Sequence, residues 1–272
     1  MKKISIITIN YNDKNGLEKT IESVISQSSK DFEYIIIDGN STDGSKELIE
    51  KNNASVEYWV SEPDSGIYNA MNKGIRAAKG EYLLFLNSGD YLCDNNTIQN
   101  VVDSIDEDKD LYYGDAVFMR GGKDEVVTFP DKLSFYFFTH NSLCHQASFI
   151  KRTLFEEVFY YNENLSIISD WEFMVYCICI KNISYKHIDI TVAYYDYDGI
   201  SSRPNSKSII SLETEIVMNK YFSAFLSDYK YITTIKERRV KDVIYIKQFP
   251  IAWKVLKKCI KAVLLVLPKQ KQ

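Results

Sequence analysis

The chain has 272 residues, of which 45% are hydrophobic and 26% charged, and its formal net charge is −4. This composition is typical of a globular protein and excludes a disordered chain, while the length allows one large α/β domain or two small ones. The five cysteines form no Cys-x-x-Cys pair, so free thiols in a reducing cytosol are expected rather than a zinc site or disulfides. The N-terminus leads directly into a strand pattern, without an apolar signal core.

Strand and helix patterns alternate along the first 90 residues. Apolar runs predict strands at 4–9, 32–38, 56–60 and 82–86, and periodic apolar residues predict helices at 15–27, 46–52 and 69–78. This order predicts βαβ units and a largely parallel sheet. Further strands are predicted at 111–118, at 126–129 as its partner, and at 188–197; further helices are predicted at 153–159, 171–180, 209–230 and 232–267.

The strand at 82–86 ends in a small polar cluster, the sequence NSGD at residues 87–90. Ligands of α/β folds bind at the carboxyl ends of strands. Asp90, which we expect on a solvent-facing loop, can hold a divalent cation against a phosphate, because such ions take one or two carboxylates plus substrate oxygens. The alternative is an ordinary strand-to-helix loop in which Asp94 or Asn95 caps the next helix.

A second carboxylate, Asp38, ends the strand at 32–38 and precedes a polar turn. Asp38 can accept a hydrogen bond from a ring N–H such as that of uracil. Thr8, Asn10 and Tyr11 end the neighbouring strand and can frame the same base, with Tyr11 stacking on it. The alternative is turn chemistry alone, in which Asp and Asn side chains bond to their own backbone.

Five sequence blocks follow one another as in family 2 glycosyltransferases: residues 4–11, 35–45, 64–74, 80–82 and 86–90. The chain resembles the non-processive bacterial members that build surface polysaccharides. The resemblance implies the A-type glycosyltransferase fold, a Rossmann-like sheet flanked by helices. It also implies a UDP-sugar donor, an inverting mechanism and Mn²⁺ or Mg²⁺ as cofactor. By the match, Thr8, Tyr11 and Asp38 hold the nucleotide base, and Asp90 falls on the metal-binding carboxylate of the Asp-x-Asp element.

The chain departs from the commoner family pattern at two places, the predicted metal site and the predicted contact with the diphosphate. An Asp commonly stands where Asn87 or Gly89 lies here, so metal binding rests on one carboxylate and weaker affinity is expected. The family's frequent Arg is Met71, so Lys73 or Asp64 is expected to contact the diphosphate or sugar; a solvated helix charge is the alternative for the lysine. The predicted nucleotide-binding residues are Thr8, Asn10, Tyr11, Asp38, Asp64, Lys73 and Ser88.

An acidic motif around Asp170 carries the predicted general base. The family has Glu-Asp followed by an aromatic residue; here Ser169 replaces the first acid and Trp171 follows the second. Inverting transfer needs a base near the acceptor hydroxyl, a role that is compatible with capping the next helix. His145 and Gln146 lie in a stretch that resembles a subfamily motif. With Trp171 they are candidates for diphosphate or acceptor contacts, and a structural histidine is the alternative.

Charge is distributed unevenly along the chain. Residues 230–272 hold 12 Lys and Arg against two acidic residues, a net of +10, which leaves −14 on residues 1–229. The lysines at 254, 257, 258 and 261 share one helical face, and apolar residues cover much of the rest. Because the apolar run 262–267 is too short to span a bilayer, we predict a basic amphipathic helix that lies on an anionic membrane. A C-terminal helix packed on the body is the alternative.

These features predict an enzyme, a metal-dependent inverting hexosyltransferase. It would move a hexose from a UDP-sugar to a polyprenyl-diphosphate-linked saccharide in bacterial surface polysaccharide biosynthesis (O-antigen, capsule or exopolysaccharide). The expected organisation is a nucleotide-sugar-binding half at 1–110, an acceptor-binding half at 111–210 and a C-terminal helical region at 211–272. The expected location is cytoplasmic, peripheral on the inner face of the membrane, with no nucleic-acid partner.

Two other functions fit the sequence less well. A nucleotidyltransferase usually opens with a Gly-rich, Arg-containing loop after its first strand, and the loop at 10–13 has neither feature. A non-catalytic, degenerate nucleotide-sugar-binding partner of a polysaccharide assembly complex is left open by Asn87 and Gly89. The acids Asp38, Asp90 and Asp170 argue against that second alternative.

Overall fold

The computed structural model describes residues 3–196, 206–226, 228 and 238–266. Its strands are β1 (Ile4–Asn10), β2 (Phe32–Asp38), β3 (Tyr58–Ser61), β4 (Tyr82–Phe85), β5 (Tyr91–Leu92), β6 (Leu111–Arg120), β7 (Lys123–Val127), β8 (Ser148–Lys151) and β9 (Tyr185–Asp196). Its helices are α1 (Lys14–Ile25), α2 (Ser45–Lys51), α3 (Ile67–Ala77), α4 (Thr97–Ser104), α5 (Phe135–Phe138), α6 (Leu154–Glu157), α7 (Ser169–Tyr176), α8 (Ser206–Phe222), α9 (Arg238–Lys247) and α10 (Pro250–Val266). The chain divides into two compact units, residues 1–217 and 218–272.

The strands of the first unit form one sheet. Across the described residues the order is β3-β2-β1-β4-β8-β6-β9-β5, with β7 paired to β6. β3, β2, β1 and β4 run parallel, while β8 is antiparallel to both β4 and β6. The predicted α/β fold is confirmed, as is the hairpin of β6 and β7. The mixed strand directions in the second half of the sheet were not predicted.

The central strands are buried on both faces, which is why their sequences are nearly continuous apolar runs. Helix α3 lies close to the sheet at Gly74, where an added Cβ would come within 2.4 Å of a methyl carbon of Ile7. A glycine is therefore needed for this helix to approach β1. The close packing fixes the position of the loop that precedes α3, which contributes to the site described below.

A buried carboxylate ties three strands together at the edge of the sheet where β1 and β2 begin. Glu33 of β2 accepts hydrogen bonds from the Ser5 hydroxyl of β1 at 2.5 Å and from the backbone N–H of Gly80 at 2.8 Å. It also accepts the backbone N–H of Lys79. Because Gly80 lies two residues before β4, this acid ties the starts of β1, β2 and β4 together, at the edge opposite the one where Asp38 ends β2.

Several predicted helices differ from those observed. The helix predicted at 153–159 is the short α6, and α7 begins at Ser169 and continues into a π-helical turn, Cys177–Lys181. The single helix predicted at 232–267 is two helices in its described part, because Pro250 cannot donate a backbone hydrogen bond and instead begins α10. Residues 229–237, and the predicted ends at Tyr197 and Leu267, lie outside the described residues.

Helix α10 of the second unit exposes apolar and basic side chains. Ile251 is 82% exposed and Leu265 is 86% exposed, and lysines at 254, 257, 258 and 261 are exposed as well. Its sequence contains no acidic residue. Among the described residues, no helix has the length and apolar character needed to cross a membrane.

Candidate active site

Polar side chains meet where β1, β2 and β3 end, because the parallel register aligns Asn10, Asp38 and Ser61. Asp38 is fully buried. It accepts hydrogen bonds from the Asn10 amide at 2.7 Å and the Ser61 hydroxyl at 2.6 Å. It also accepts the hydroxyl of Ser41 at 2.6 Å and the backbone N–H of the same residue at 2.9 Å. The carboxylate therefore organises the ends of three strands.

Two residues predicted to contact the base have partners within the protein. The four hydrogen bonds to Asp38 use the acceptor positions of a carboxylate, so it can receive a base N–H only after one hydroxyl turns away. Thr8 is fully buried, and its hydroxyl lies 3.0 Å from that of Tyr34. The Thr8 side chain thus packs beneath the strand ends rather than at their surface. Asn10 extends the network to the loop after β4, because its Oδ1 accepts the Ser88 hydroxyl at 2.8 Å.

Tyr11 and Asp64 come together above Gly39, directly after the end of β2. A Cβ placed on Gly39 would lie 2.6 Å from Oδ2 of Asp64 and 3.1 Å from the Tyr11 ring. The Tyr11 side chain is 69% exposed and so has an accessible ring face. The Lys73 ammonium pairs with Glu62 at 2.7 Å and donates to the Pro63 carbonyl, directly before Asp64, at 3.0 Å. Lys73 therefore anchors the loop that carries Asp64, and is not a solvated charge.

The loop after β4 places Asp90 inside the protein, so the expectation of a solvent-facing loop is wrong. Asp90 is 3% exposed. Its Oδ2 accepts the Gln146 side-chain amide at 2.8 Å, and its Oδ1 accepts the backbone N–H of Asp196 at 3.0 Å. Burial raises the pKa of Asp90 to about 6, although these hydrogen bonds act in the opposite direction. The Thr20 hydroxyl, which donates to the Asp90 carbonyl at 2.7 Å, holds the loop on α1.

A second carboxylate reaches this loop from β9. Gly89 has φ of 98°, and a Cβ at this position would lie 3.2 Å from Oδ2 of Asp196 and 3.9 Å from Oδ2 of Asp13. Asp196 therefore lies beside Gly89, one of the two positions at which the commoner family pattern has an Asp. Within the described ranges, no three His, Cys, Asp or Glu side chains are grouped closely enough to hold a metal ion by themselves.

Asp170 lies in the first turn of α7 and accepts two side-chain hydrogen bonds. The Tyr68 hydroxyl of α3 donates to Oδ1 at 2.8 Å, and Nδ1 of His145 lies 3.1 Å from Oδ2. Burial would raise the pKa of Asp170, but the hydrogen bond and charge of His145, together with the Tyr68 bond, hold it below its usual value. Glu213 of α8 positions the preceding loop by accepting the backbone N–H groups of residues 166–168 at 2.6–3.3 Å.

Two consecutive residues connect Asp90, on the loop after β4, with Asp170 on α7. His145 contacts Asp170, and Gln146 donates to Asp90. The other imidazole nitrogen, Nε2, lies 3.3 Å from Nδ2 of Asn87 on the loop after β4. The short 3₁₀ turn at His145–Ala147 thus joins the two predicted functional carboxylates.

Trp171 does not present its ring to the solvent. It is buried, and its indole N–H donates to the Phe138 carbonyl at 2.8 Å, which ties α7 to α5. The sequence prediction also missed Tyr68, Asp196 and Glu213. Tyr68 lies inside the block at 64–74, which provided a signal for its importance. Asp196 and Glu213 lie far along the chain from the residues they contact, and no local pattern identifies them.

Two known relatives show the class of enzyme to which the chain belongs. This chain is 32% identical over 209 residues to the "PGL/p-HBAD biosynthesis glycosyltransferase" of Mycobacterium bovis, covering 73% of this chain and 78% of that protein. It is 38% identical over 90 residues to the "Putative teichuronic acid biosynthesis glycosyltransferase TuaG" of Bacillus subtilis, covering 32% of this chain and 36% of that protein. The chain is therefore a glycosyltransferase.

The family follows from the sequence profile described as "Glycosyl transferase family 2", which matches residues 5–159. The chain belongs to this family. In fold it resembles S. aureus TarS 1–349 in complex with UDP-GlcNAc, with a TM-score of 0.63 and 19% identity over 80% of this chain and 67% of that one. It matches only 36% of a longer TarS chain. The mannosyltransferase PcManGT from Pyrobaculum calidifontis, in complex with GDP-Man and Mn²⁺, has a TM-score of 0.54 and 16% identity over 71% of this chain and 56% of that one.

Proposed function

We propose that this glycosyltransferase is an inverting, metal-assisted hexosyltransferase. It moves a hexose from a UDP-sugar to a polyprenyl-diphosphate-linked saccharide in bacterial surface polysaccharide biosynthesis. The observation that carries the proposal is the connection of Asp90 and Asp170 through Gln146 and His145. It supports a division of roles in which Asp90 binds a cation and Asp170 takes a proton on either side of a single turn, near the carboxyl ends of the strands where ligands of α/β folds bind.

The proposed donor site lies at the ends of β1, β2 and β4. Tyr11 offers an exposed ring for stacking on a base, and Asp64 lies beside it. Asp38, Asn10 and Ser88 form the polar floor of this site. The solved structures of TarS with UDP-GlcNAc and of PcManGT with GDP-Man support a nucleotide-sugar donor. We assign this role to residues 1–110, acceptor binding to 111–210, and a separate helical role to 211–272.

The residues around Gly89 suit a divalent cation that is bound partly by substrate. Asp90 and Asp196 supply carboxylate oxygens, the ligands that Mg²⁺ and Mn²⁺ prefer. Because the described residues form no three-ligand cluster, phosphate oxygens and water would complete the coordination. When bound, the cation would offset the negative charge on the leaving diphosphate. Mn²⁺ in the PcManGT structure supports a metal for this fold.

The proposed chemical step is a direct displacement. The acceptor oxygen forms a bond to the anomeric carbon as the bond from that carbon to the diphosphate breaks, and UDP leaves with the bonding electron pair. Asp170 receives the proton of the acceptor hydroxyl. Tyr68 and His145 hold its carboxylate in place, so little rearrangement is needed when the proton transfers. A positioned base of this kind contributes roughly 10²–10⁴-fold to the rate.

Helix α10 is proposed to lie on an anionic membrane surface, on the cytoplasmic side, where a lipid-linked acceptor would be presented. Its four lysines, the absence of acidic residues in its sequence and its exposed apolar side chains support this role. Lys257 lies 5.9 Å from the centre of the Trp253 ring, which places a cation and an interfacial aromatic side by side. Each lysine near such a surface contributes about 1 kcal/mol.

The experiment that tests this function measures UDP release from UDP-glucose, UDP-galactose and UDP-GlcNAc, with Mn²⁺ and with a chelator. We expect metal-stimulated release from at least one donor. Asp170→Asn should abolish it, whereas Asp189→Asn, which changes an exposed acid on β9, should not. Binding of a UDP-sugar without any release would instead support the non-catalytic alternative.

A further inference from the structure

One peptide group in the loop before α7 is held from both sides by side chains. This group joins Tyr161 to Asn162. Its carbonyl oxygen accepts the side-chain amide of Asn72 at 2.8 Å, and its N–H donates to the hydroxyl of Ser169. The backbone N–H of Tyr161 donates in turn to Oδ1 of Asn72 at 3.0 Å. The Asn72 side chain on α3 therefore pairs with the backbone of Tyr161 through both its donor and its acceptor.

These contacts fix the orientation of the Asn72 amide. A backbone N–H can only donate and a backbone carbonyl can only accept, so a turned amide would bring two donors together and two acceptors together. Nδ2 of Asn72 also donates to Oε1 of Glu163 at 2.8 Å, which uses its second proton. Asn72 is 1% exposed. Removal of its side chain would therefore leave the buried backbone groups of Tyr161 without these partners, and the loop would be free to shift.

Ser169 links the position of this peptide group to the proposed base. It is the first residue of α7, is fully buried and directly precedes Asp170. We propose that Asn72 is a positioning residue for Asp170, which it reaches through the 161–162 peptide group and the Ser169 hydroxyl. The inference rests on the proposed role of Asp170 as the general base. Because a base acts only within hydrogen-bond reach of the acceptor hydroxyl, a shift of the first turn of α7 would lower the rate without changing donor binding.

A ring contact connects the same parts by a second path. The ring of Tyr161 is buried, and its centre lies 5.6 Å from that of Tyr68, whose hydroxyl donates to Asp170. Tyr68 and Asn72 are four residues apart on α3 and so lie on the same face of the helix. The residue before Asp170 and the tyrosine that donates to it therefore both depend on where α3 holds Tyr161.

The neighbouring amide of α3, Asn69, provides a matched control. Its Nδ2 donates to Oε2 of Glu163 at 2.8 Å, so it ties the same loop to the same helix without a hydrogen bond to the 161–162 peptide group among the described residues. Asn69→Ala should remove this contact and leave the peptide group in place. Ser169→Ala is the complementary variant, because it removes only the oxygen that accepts the N–H of Asn162.

The kinetic test measures UDP release with Mn²⁺ from whichever of UDP-glucose, UDP-galactose and UDP-GlcNAc the wild type turns over. Asn72→Ala and Ser169→Ala should each lower kcat at least roughly tenfold, a part of what a positioned base contributes, and leave KM for the donor unchanged. Asn69→Ala should keep the wild-type kcat. In an Asp170→Asn background, Asn72→Ala should cause no further loss, because a positioning residue has no effect once its base is removed.

A second test needs no substrate. Hydrogen exchange of the full chain, followed by NMR, should be slow at the amides of Asn162 and Glu172 in the wild type. The first of these amides donates to Ser169, and the second donates to the Ile168 carbonyl at 2.8 Å in the first turn of α7. Asn72→Ala should make both amides exchange faster, whereas Asn69→Ala should leave their exchange unchanged.

The proposal is overturned by a wild-type kcat in Asn72→Ala, by a further loss of rate in the Asp170→Asn background, or by an equal effect of Asn69→Ala. If Asn72→Ala folds poorly, Ser169→Ala decides in the same way, and fast exchange at Asn162 in the wild type counts against the proposal without any variant. If Asp170→Asn keeps the wild-type rate, or no donor is turned over, the proposed function fails. The exchange rates then decide separately whether Asn72 holds the start of α7.

Discussion

Replacing Asp90 by Asn should make the protein more stable at neutral pH while removing its metal response. Burial raises the pKa of this carboxyl from 3.8 to about 6, so folding disfavours the ionised form. Each pKa unit corresponds to about 1.4 kcal/mol, and the shift therefore corresponds to about 3 kcal/mol of folding free energy lost at pH 7. An amide of the same shape carries no charge and avoids this loss.

The same pKa shift determines how the stability of the folded protein changes with pH. A carboxyl whose pKa is higher in the folded state binds its proton more tightly when folded, so wild-type stability should decline as the pH rises from about 4 through 6. The advantage of Asp90→Asn should therefore be small near pH 4 and reach its maximum above pH 6. The gain stays below about 3 kcal/mol, because the Gln146 amide must turn over to accept the new N–H, and its Oε1 now accepts the Cys144 thiol at 3.0 Å.

The assay is thermal unfolding at about pH 4, 5.5 and 7.5, without metal and then with Mn²⁺ plus UDP. For a chain of this size each kcal/mol shifts Tm by about 2–4 °C, so the gain at pH 7.5 should reach up to about 6–12 °C. Adding Mn²⁺ in the presence of UDP should raise the Tm of the wild type and of the control Asp189→Asn above the value with UDP alone, but should not do so for Asp90→Asn. An Asp90→Asn protein that is less stable than wild type at pH 7.5, or whose Tm difference is the same at pH 4, would refute this reasoning.

Three further predictions concern the other parts of the proposed site. Asp170→Asn should lower the catalytic rate by roughly 10²–10⁴-fold with little change in UDP affinity, and a variant that keeps more than about a tenth of the rate in a UDP-release assay would exclude Asp170 as the base. Asp38→Ala should weaken UDP binding by about 1.5–3 kcal/mol, because a charge-assisted hydrogen bond is lost. It should also lower Tm, because Asn10 and Ser61 lose their acceptor; unchanged affinity in calorimetry would remove Asp38 from the site. Replacing the four lysines of α10 (Lys254, Lys257, Lys258 and Lys261) by Gln should release the protein from anionic liposomes and leave UDP-sugar hydrolysis unchanged. Continued sedimentation of this variant with the liposomes would contradict the membrane role.

The sequence pointed to those parts of the candidate site that lie at the ends of predicted strands, and their role in the site stays a prediction. Asp38 and Asp90 each follow an apolar run that is long enough to be a buried strand, and parallel pairing brings such ends to one edge of the sheet. Asp170 was recognised from a local motif and its position at a helix start. These residues were predictable because their signals are contained in a few neighbouring positions.

The contacts that complete the site could not be predicted from local patterns. Asp196 meets Asp90 across 106 positions of the chain, and Tyr68 meets Asp170 across 102. Such pairings depend on the order of strands in the sheet, and the mixed second half of that sheet has no periodic signal that fixes its order. The burial of Asp90 was missed for the same reason, because the groups that cover it come from β9 and from the turn at His145–Ala147.

Glu33 helps to fix the position of β2 in the sheet, a role that the sequence of the strand alone does not suggest. Buried carboxylates hold both ends of β2, Glu33 at one edge of the sheet and Asp38 at the other. A shift of the strand by one residue would leave several hydrogen-bond donors at both edges without an acceptor. Amide hydrogens of this strand should consequently exchange with solvent only through global unfolding, more slowly than those of the edge strand β3. The proposed donor site would then lie on a rigid frame, and any closing movement around a substrate would have to come from the chain beyond β4.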